Sequence, residues 1–196
     1  MQAQVYLITP PQVGPEFSKE LTKALSGQNV AAVLIQRGDR EDPDYIEVAK
    51  ALIPVAQAAG SAALLDNMPE QVTRLGADGV HMTGSAQDLR KTVSNLKPNS
   101  IVGAGGIHTK HDAMTKGELN VDYVFFGHLA GQSSDEELTT VELADWWADT
   151  FEIPSVCYDE SADMSSEKSE FIAARDTIWQ SDDAAKAILA IAGDLA

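Results

Sequence analysis

The sequence predicts an α/β fold: a single compact (β/α)8 barrel of the TIM type spanning residues 1–196 as one domain. Three observations predict it. Eight short apolar runs alternate strictly with longer amphipathic stretches. Most of the runs are rich in β-branched or aromatic residues, which suits strands buried on both faces. No composition break or low-complexity segment interrupts the alternation. Alternation makes the strands parallel with right-handed crossovers, and eight such units close a barrel where an open doubly wound sheet usually has fewer. The chain is short for a barrel, so its loops must be short.

The expected strands, in order, are VYLIT (5–9), AAVLIQ (31–36), SAALLD (61–66), GVHM (79–82), SIVGAG (100–105), DYVFFG (122–127), SVCYD (155–159) and DTIWQ (176–180). The stretches between them read as helices. PEFSKELTKALSG puts Phe17, Leu21, Ala24 and Leu25 on one face, a helical spacing. DPDYIEVAKALIPVAQAAG continues the pattern through Ile46, Ala49, Leu52 and Ile53, and Pro54 is expected to kink it. MPEQVTRLGA, SAQDLRKTVSNL, TKHDAMTKG, TVELADWWADTF, MSSEKSEFIAA and SDDAAKAILAIAG follow. Ser85, Thr139 and Ser181 are expected N-caps, and Gly27, Gly60 and Gly117 expected stops. AGQSSDEELTT (130–140) is the longest loop and a candidate lid.

The formal charge is −16, from 30 acidic and 14 basic residues. That balance argues against nucleic acid or an anionic membrane as partner, because both need a positive surface. The one cysteine, Cys157, allows no internal disulfide and reads as a core residue, which fits a cytoplasmic location. MQAQVYLITP has no basic segment and only a short apolar run, so no signal peptide is expected. No stretch approaches the roughly 20 apolar residues of a membrane span.

In a barrel the functional groups lie at the C-terminal ends of the strands. Those ends carry Thr9-Pro10, Gln36 to Arg40, Asp66-Asn67, His81 to Gly84, Gly105 to His108, Gly127-His128, Asp159-Glu160 and Gln180-Ser181. Most are polar, as a site requires.

From LGADGVHM (75–82) outward the chain resembles the thiamin phosphate synthase family, including its thiazole tautomerase branch. VYLIT, AAVLIQRGDR, LLDNM, GVHM, IVGAGGIHT and VDYVFFGHL look like its first six strand ends, in order. The resemblance implies a barrel that joins a pyrimidine diphosphate to a thiazole phosphate. It implies Mg²⁺ and basic groups around the diphosphate, and a cup of backbone N–H groups for the second phosphate. QRGDR (36–40) is similar to the family's Q-x-R-x-K, which implies Gln36 and Arg40 as substrate-binding residues; Gly38 holds the arginine position and Arg37 lies one residue off. Asp66-Asn67 resembles the family's N-D pair in reversed order, implying both as substrate contacts. The implied Mg²⁺ ligands are Asp66 and Asp88, although Asp88 reads equally as a first-turn helix acid.

GAGGIHT supplies Gly105, Gly106 and Thr109 as further implied substrate contacts, with His128 after the sixth strand. His108 is the candidate catalytic acid or base, or an exposed loop histidine. Lys110 is a further candidate cation at the mouth, and Trp179 a candidate wall. Asp159 and Glu160 stand where the resemblance expects a glycine pair, so the standard phosphate cup is expected to be missing. The two acids close the mouth, bind a cation, meet a basic partner or face solvent. Three functions stay open: a divergent synthase of this kind, a tautomerase or isomerase of a small heterocycle using His81, His108 or His128, and a non-catalytic ligand- or protein-binding barrel. The expected partner is a small phosphorylated heterocycle. Trp146-Trp147 suit packing or a homo-oligomer contact.

Overall fold

The computed structural model describes residues 3–129, 138–159, 166 and 168–194. Its strands are β1 (Gln4–Ile8), β2 (Val30–Ile35), β3 (Ala62–Asp66), β4 (Gly79–Met82), β5 (Ile101–Ile107), β6 (Tyr123–Phe126), β7 (Ser155–Cys157) and β8 (Phe171–Ala174). Each pairs in parallel with the next and β8 pairs with β1, which closes the barrel. The helices are α1 (Ser18–Leu25), α2 (Asp42–Ala58), α3 (Val72–Leu75), α4 (Ala86–Leu96), α5 (Lys110–Gly117), α6 (Thr140–Thr150), α7 (Asp176–Trp179) and α8 (Ala184–Asp194). Among the described residues no helix is long and apolar enough to cross a membrane.

The strands are mostly apolar because both faces are buried, and their period of two sorts the side chains. Tyr6, Ile8, Leu34, Leu64, Tyr123, Phe125, Val156, Tyr158 and Ala173 pack together inside the barrel. Their neighbours Val5, Leu7, Val33, Ile35, Leu65, Val124, Phe126, Cys157 and Ile172 pack outward under the helices. Tyr6 and Tyr123 meet through their hydroxyls at 2.9 Å, so two bulky phenols fit the interior without an orphaned oxygen. Glycine makes the room: a Cβ at Gly103 would lie 1.9 Å from Tyr123 Cζ.

Three local expectations are corrected. The eighth strand is Phe171–Ala174, inside the stretch expected to be helical, and Asp176–Trp179 is a helical turn. Short apolar runs carry no decisive period. Here pairing with β1, Gln4 with Phe171 through Leu7 with Ala174, decides for FIAA. Trp179 therefore leaves the mouth: its ring packs 4.8 Å from Phe17 and its Nε1 donates to Ile8 O at 2.7 Å. Pro54 does not interrupt α2. It lies on the exposed face of the helix. The cap of α8 is Asp183, whose Oδ1 accepts from Lys186 N at 3.1 Å, and not Ser181. Ser85 and Thr139 cap as expected, Thr139 in a full capping box with Glu142.

Candidate active site

A cavity of about 630 Å³ opens at the C-terminal ends of the strands. Its wall includes Gln36, Asp66, Asn67, His81, Gly106, His108, His128 and Arg175. Six of these are expected site residues. Arg40, Asp88, Gly105 and Thr109 are expected too, and the structure gives each of them a different surrounding.

Gln36 is buried. Its backbone N–H donates to Thr9 Oγ1 at 3.0 Å, and its Nε2 donates to Leu129 O at 3.3 Å. The implied phosphate contact Arg40 turns back on its own loop. It donates to the carbonyls of Gln36 (2.8 Å), Arg37 (3.0 Å) and Val13 (2.7 Å), which pins the chain after β2. Arg37 pairs with Asp42 and donates to Arg40 O at 3.1 Å. Lys110 lies 4.6 Å over the Trp146 ring. None of these three cations lines the cavity.

Asp66 ends β3. Tyr45 Oη, which donates to Ile35 O at 2.6 Å, accepts the Asp66 N–H at 2.8 Å and so ties two strand ends together. The carboxylate accepts from Arg37 N (2.9 Å) and Asn67 Nδ2 (2.8 Å). Burial pushes its pKa up, and the hydrogen bonds from Arg37 and Asn67 oppose that. Asn67 takes a left-handed φ of 52°. It exchanges hydrogen bonds with Thr83 at 2.8 Å, donating to Oγ1 and accepting from N.

Asp88 is a first-turn residue of α4, tied to Ser85 Oγ at 2.6 Å. It lines a separate groove with Pro69, Thr73 and Met82. The structure thus does not bring Asp66 and Asp88 to one cavity as a metal pair. Among the described residues no group of three or more His, Cys, Asp or Glu could hold a metal ion. The Asp66 carboxylate fits a cation as a single ligand: it faces the cavity, and each of its oxygens has one hydrogen-bond donor and a lone pair to spare.

Gly105 and Gly106 lie within β5 and not in a turn after it, at the bulge where the register against β6 shifts between Ala104 and Ile107. Gly106 has a φ of 61° and passes so close to β4 that a Cβ would meet Thr83 O at 2.5 Å. Lys116, a residue outside the sequence expectations, reaches beneath this bulge from α5. Its Nζ donates to Gly105 O at 2.7 Å and Gly106 O at 3.0 Å, and burial lowers its pKa. Thr109 is the N-cap of α5. His108 and His128 stack at the rim with ring centroids 4.9 Å apart. His81 lies deeper, with Nδ1 3.1 Å from Tyr123 Oη.

Arg175, which lies at the end of β8, is the other residue that sequence reasoning missed, because the strand was placed five residues too late. Its Nη1 donates to Gln36 Oε1 (3.1 Å) and Leu129 O (2.8 Å), so it links β8, β2 and the loop after β6 across the mouth. Of the two acids expected after β7, Asp159 is among the described residues. Asp159 follows Tyr158, whose ring lies 5.7 Å from the Arg175 guanidinium. Glu160 lies outside the described residues, as do 130–137 of the expected lid.

The family described as thiamine monophosphate synthase matches residues 5–159. The chain belongs to that family. Among curated relatives, the thiamine-phosphate synthase of Rhodospirillum centenum is 33% identical over 156 residues, covering 78% of this chain and 75% of the relative. That of Hyphomonas neptunium is 31% identical over 195 residues, covering 93% and 88%. The thiamine phosphate pyrophosphorylase structure from Pyrococcus furiosus superposes with a TM-score of 0.80 at 18% identity, covering 99% of this chain and 97% of that one. At that identity the likeness shows the fold alone. The thiamine monophosphate synthase match spans Gln36, Asp66, Asn67, His108, Lys116 and His128, whereas Arg175 lies beyond it.

Proposed function

We propose that this chain is a thiamine-phosphate synthase. It joins an aminopyrimidine methyl diphosphate to a thiazole phosphate in thiamin biosynthesis. The observation that carries the reading is the cavity at the strand ends, where Gln36, Asp66, Asn67, His108 and His128, all within the matched stretch, converge. In the reaction the methylene C–O bond breaks, and the diphosphate leaves with the bonding electrons. The thiazole nitrogen then donates its lone pair to the methylene carbon. The residues serve that chemistry by position. Asp66 and Phe125 give the cavity wall a carboxylate and an apolar surface, and the carboxylate favours a cation-like carbon beside it. The stacked His108 and His128 rings offer a flat rim for a heterocycle. Mg²⁺ bound to the diphosphate would neutralise the leaving group, with Asp66 as its protein carboxylate. We place the reaction in the cytoplasm, consistent with the single reduced cysteine.

The test incubates the purified protein with both substrates and Mg²⁺ and reads thiamin phosphate by its fluorescence after oxidation. Turnover that falls at least about 100-fold in Asp66→Asn and in Gln36→Ala supports the reading. No product at high enzyme, beside an active control synthase, overturns it. The His108–His128 stack favours one second reading, proton transfer on a heterocycle. Deuterium uptake by a thiazole phosphate from D₂O, without the pyrimidine, would identify it.

A further inference from the structure

Arg175 is 9% exposed and stands at the mouth between β8 and β2. Its Nε and Nη2 donate to the two carboxylate oxygens of Asp176 at 2.9 and 3.2 Å. That fork fixes the plane of the guanidinium, and Nη1 then points at Gln36 Oε1 and Leu129 O. A guanidinium has donors only, so the Gln36 atom facing it must be the carboxamide oxygen. The Leu129 carbonyl has no donor, so the Gln36 atom facing it must be the nitrogen. Turning the amide over would set NH₂ against the guanidinium and oxygen against a carbonyl. The backbone gives no freedom either, since Gln36 N is held by Thr9 Oγ1 and Gln36 O by Arg40. Gln36 is 5% exposed and lines the cavity. One N–H and one oxygen lone pair of its amide remain, in one fixed order.

We propose that Arg175 is a positioning residue that locks the direction of the Gln36 carboxamide, so that the cavity selects a heterocycle edge with an acceptor and a donor in matching order. A 4-aminopyrimidine has such an edge: its ring nitrogen accepts and its amino group donates. A 4-oxopyrimidine presents the reverse order. The inference rests on the pyrimidine diphosphate reading above, because the 5-methylene diphosphate prevents the ring from turning over in the site.

The test measures binding of the 4-amino and 4-oxo pyrimidine methyl diphosphates by calorimetry at fixed Mg²⁺. The wild type binds the amino compound about tenfold or more tightly, since the oxo edge leaves buried groups unpaired. In Arg175→Met only the longer 3.3 Å bond from Nε2 to Leu129 O still favours one direction of the amide, and the two affinities come within about threefold of each other. Arg175→Lys restores one donor to Oε1 and with it the preference for the amino compound. A merely structural role would weaken both ligands alike and keep their ratio. An unchanged ratio in Arg175→Met, or a wild type that does not discriminate, overturns the proposal. Should Arg175→Met not fold, the wild-type complex with the amino compound, solved at a resolution that shows hydrogens, decides: Gln36 Oε1 turned away from Arg175 sinks the lock. Thiamin phosphate formation with an unchanged ratio would refute the lock and leave the proposed function standing. A collapsed ratio without turnover would do the reverse.

Discussion

His81 makes the stability of this barrel depend on pH in a way that can be isolated. The ring has no exposed surface, and its Nε2 has no hydrogen-bond partner in the structure. Burial first, and the charge of Lys116 second, lower its pKa from 6.5 to about 3. The folded chain therefore holds the ring neutral where the unfolded chain protonates it. Between these two values the unfolded state binds more protons, so stability rises with pH across that window. The contribution is complete above pH 6.5 and is lost progressively as the pH falls towards 3. Each unit is worth about 1.4 kcal/mol. Lowering the pH to about 5, roughly 1.5 units below the unfolded value, thus costs about 2 kcal/mol.

The substitution His81→Gln removes the titration and keeps a side chain able to meet Tyr123 Oη. Urea unfolding of both proteins between about pH 7.5 and 5 gives the difference in unfolding free energy. That difference should move by about 2 kcal/mol in favour of the variant as the pH falls. Asp66 works in the opposite direction. Burial raises its pKa, so its effect favours the fold at low pH and is lost as the pH rises through its titration. Because Asp66 is present in both proteins, the comparison cancels it. Parallel stability curves would refute the claim that the ring is buried neutral.

Further outcomes follow from the same packing. Lys116→Met strands the carbonyls of Gly105 and Gly106, at a cost of about 2 kcal/mol or more in urea unfolding. It also removes a positive charge near His81, so the ¹⁵N titration of that ring should move upward. Gly103→Ala drives a methyl against the Tyr123 ring and destabilises by about 2–3 kcal/mol. Tyr123→Leu, in the same chain, should recover part of that loss; purely additive effects in urea would show that the clash lies elsewhere. Cys157 is buried and its thiol is pushed up to about 12, first by burial. A thiol reagent should leave the native protein unlabelled near neutral pH and label it once unfolded.

The sequence made the barrel legible because most strands are short, largely apolar runs that alternate with amphipathic stretches. β8 was not legible: FIAA carries two alanines and sits beside EFIAA-type helical spacing, while DTIWQ has the β-branched and aromatic residues of a strand. What separates them is the register against β1, which joins residues about 170 positions apart. That displacement hid Arg175. Gln36, Asp66, Asn67, His108 and His128 were legible because a strand end fixes where a side chain points. Arg40 and Asp88 were not, since both lie beyond their strands, where a helix cap or a loop carbonyl competes for the same charge. Lys116 could have been found only from the contrast between its charge and its place on the inner face of α5.

The polar groups at the mouth are largely spent on one another, and they run across the sheet. Thr9 holds Gln36, Asp66 holds the N–H of Arg37, and Asn67 clasps Thr83, which joins β1 to β4 in sequence. Arg175 then closes the ring from β8 to β2 and to the loop after β6. These bonds lie where the ladder of backbone hydrogen bonds ends, so they decide how far the strand ends can splay. A mouth framed this way holds its donors and acceptors in order before any ligand arrives, and the ordering cost falls on folding instead of binding. Removing one member should therefore reduce stability and ligand discrimination together, with Arg40, which touches only backbone, affecting stability more than selectivity.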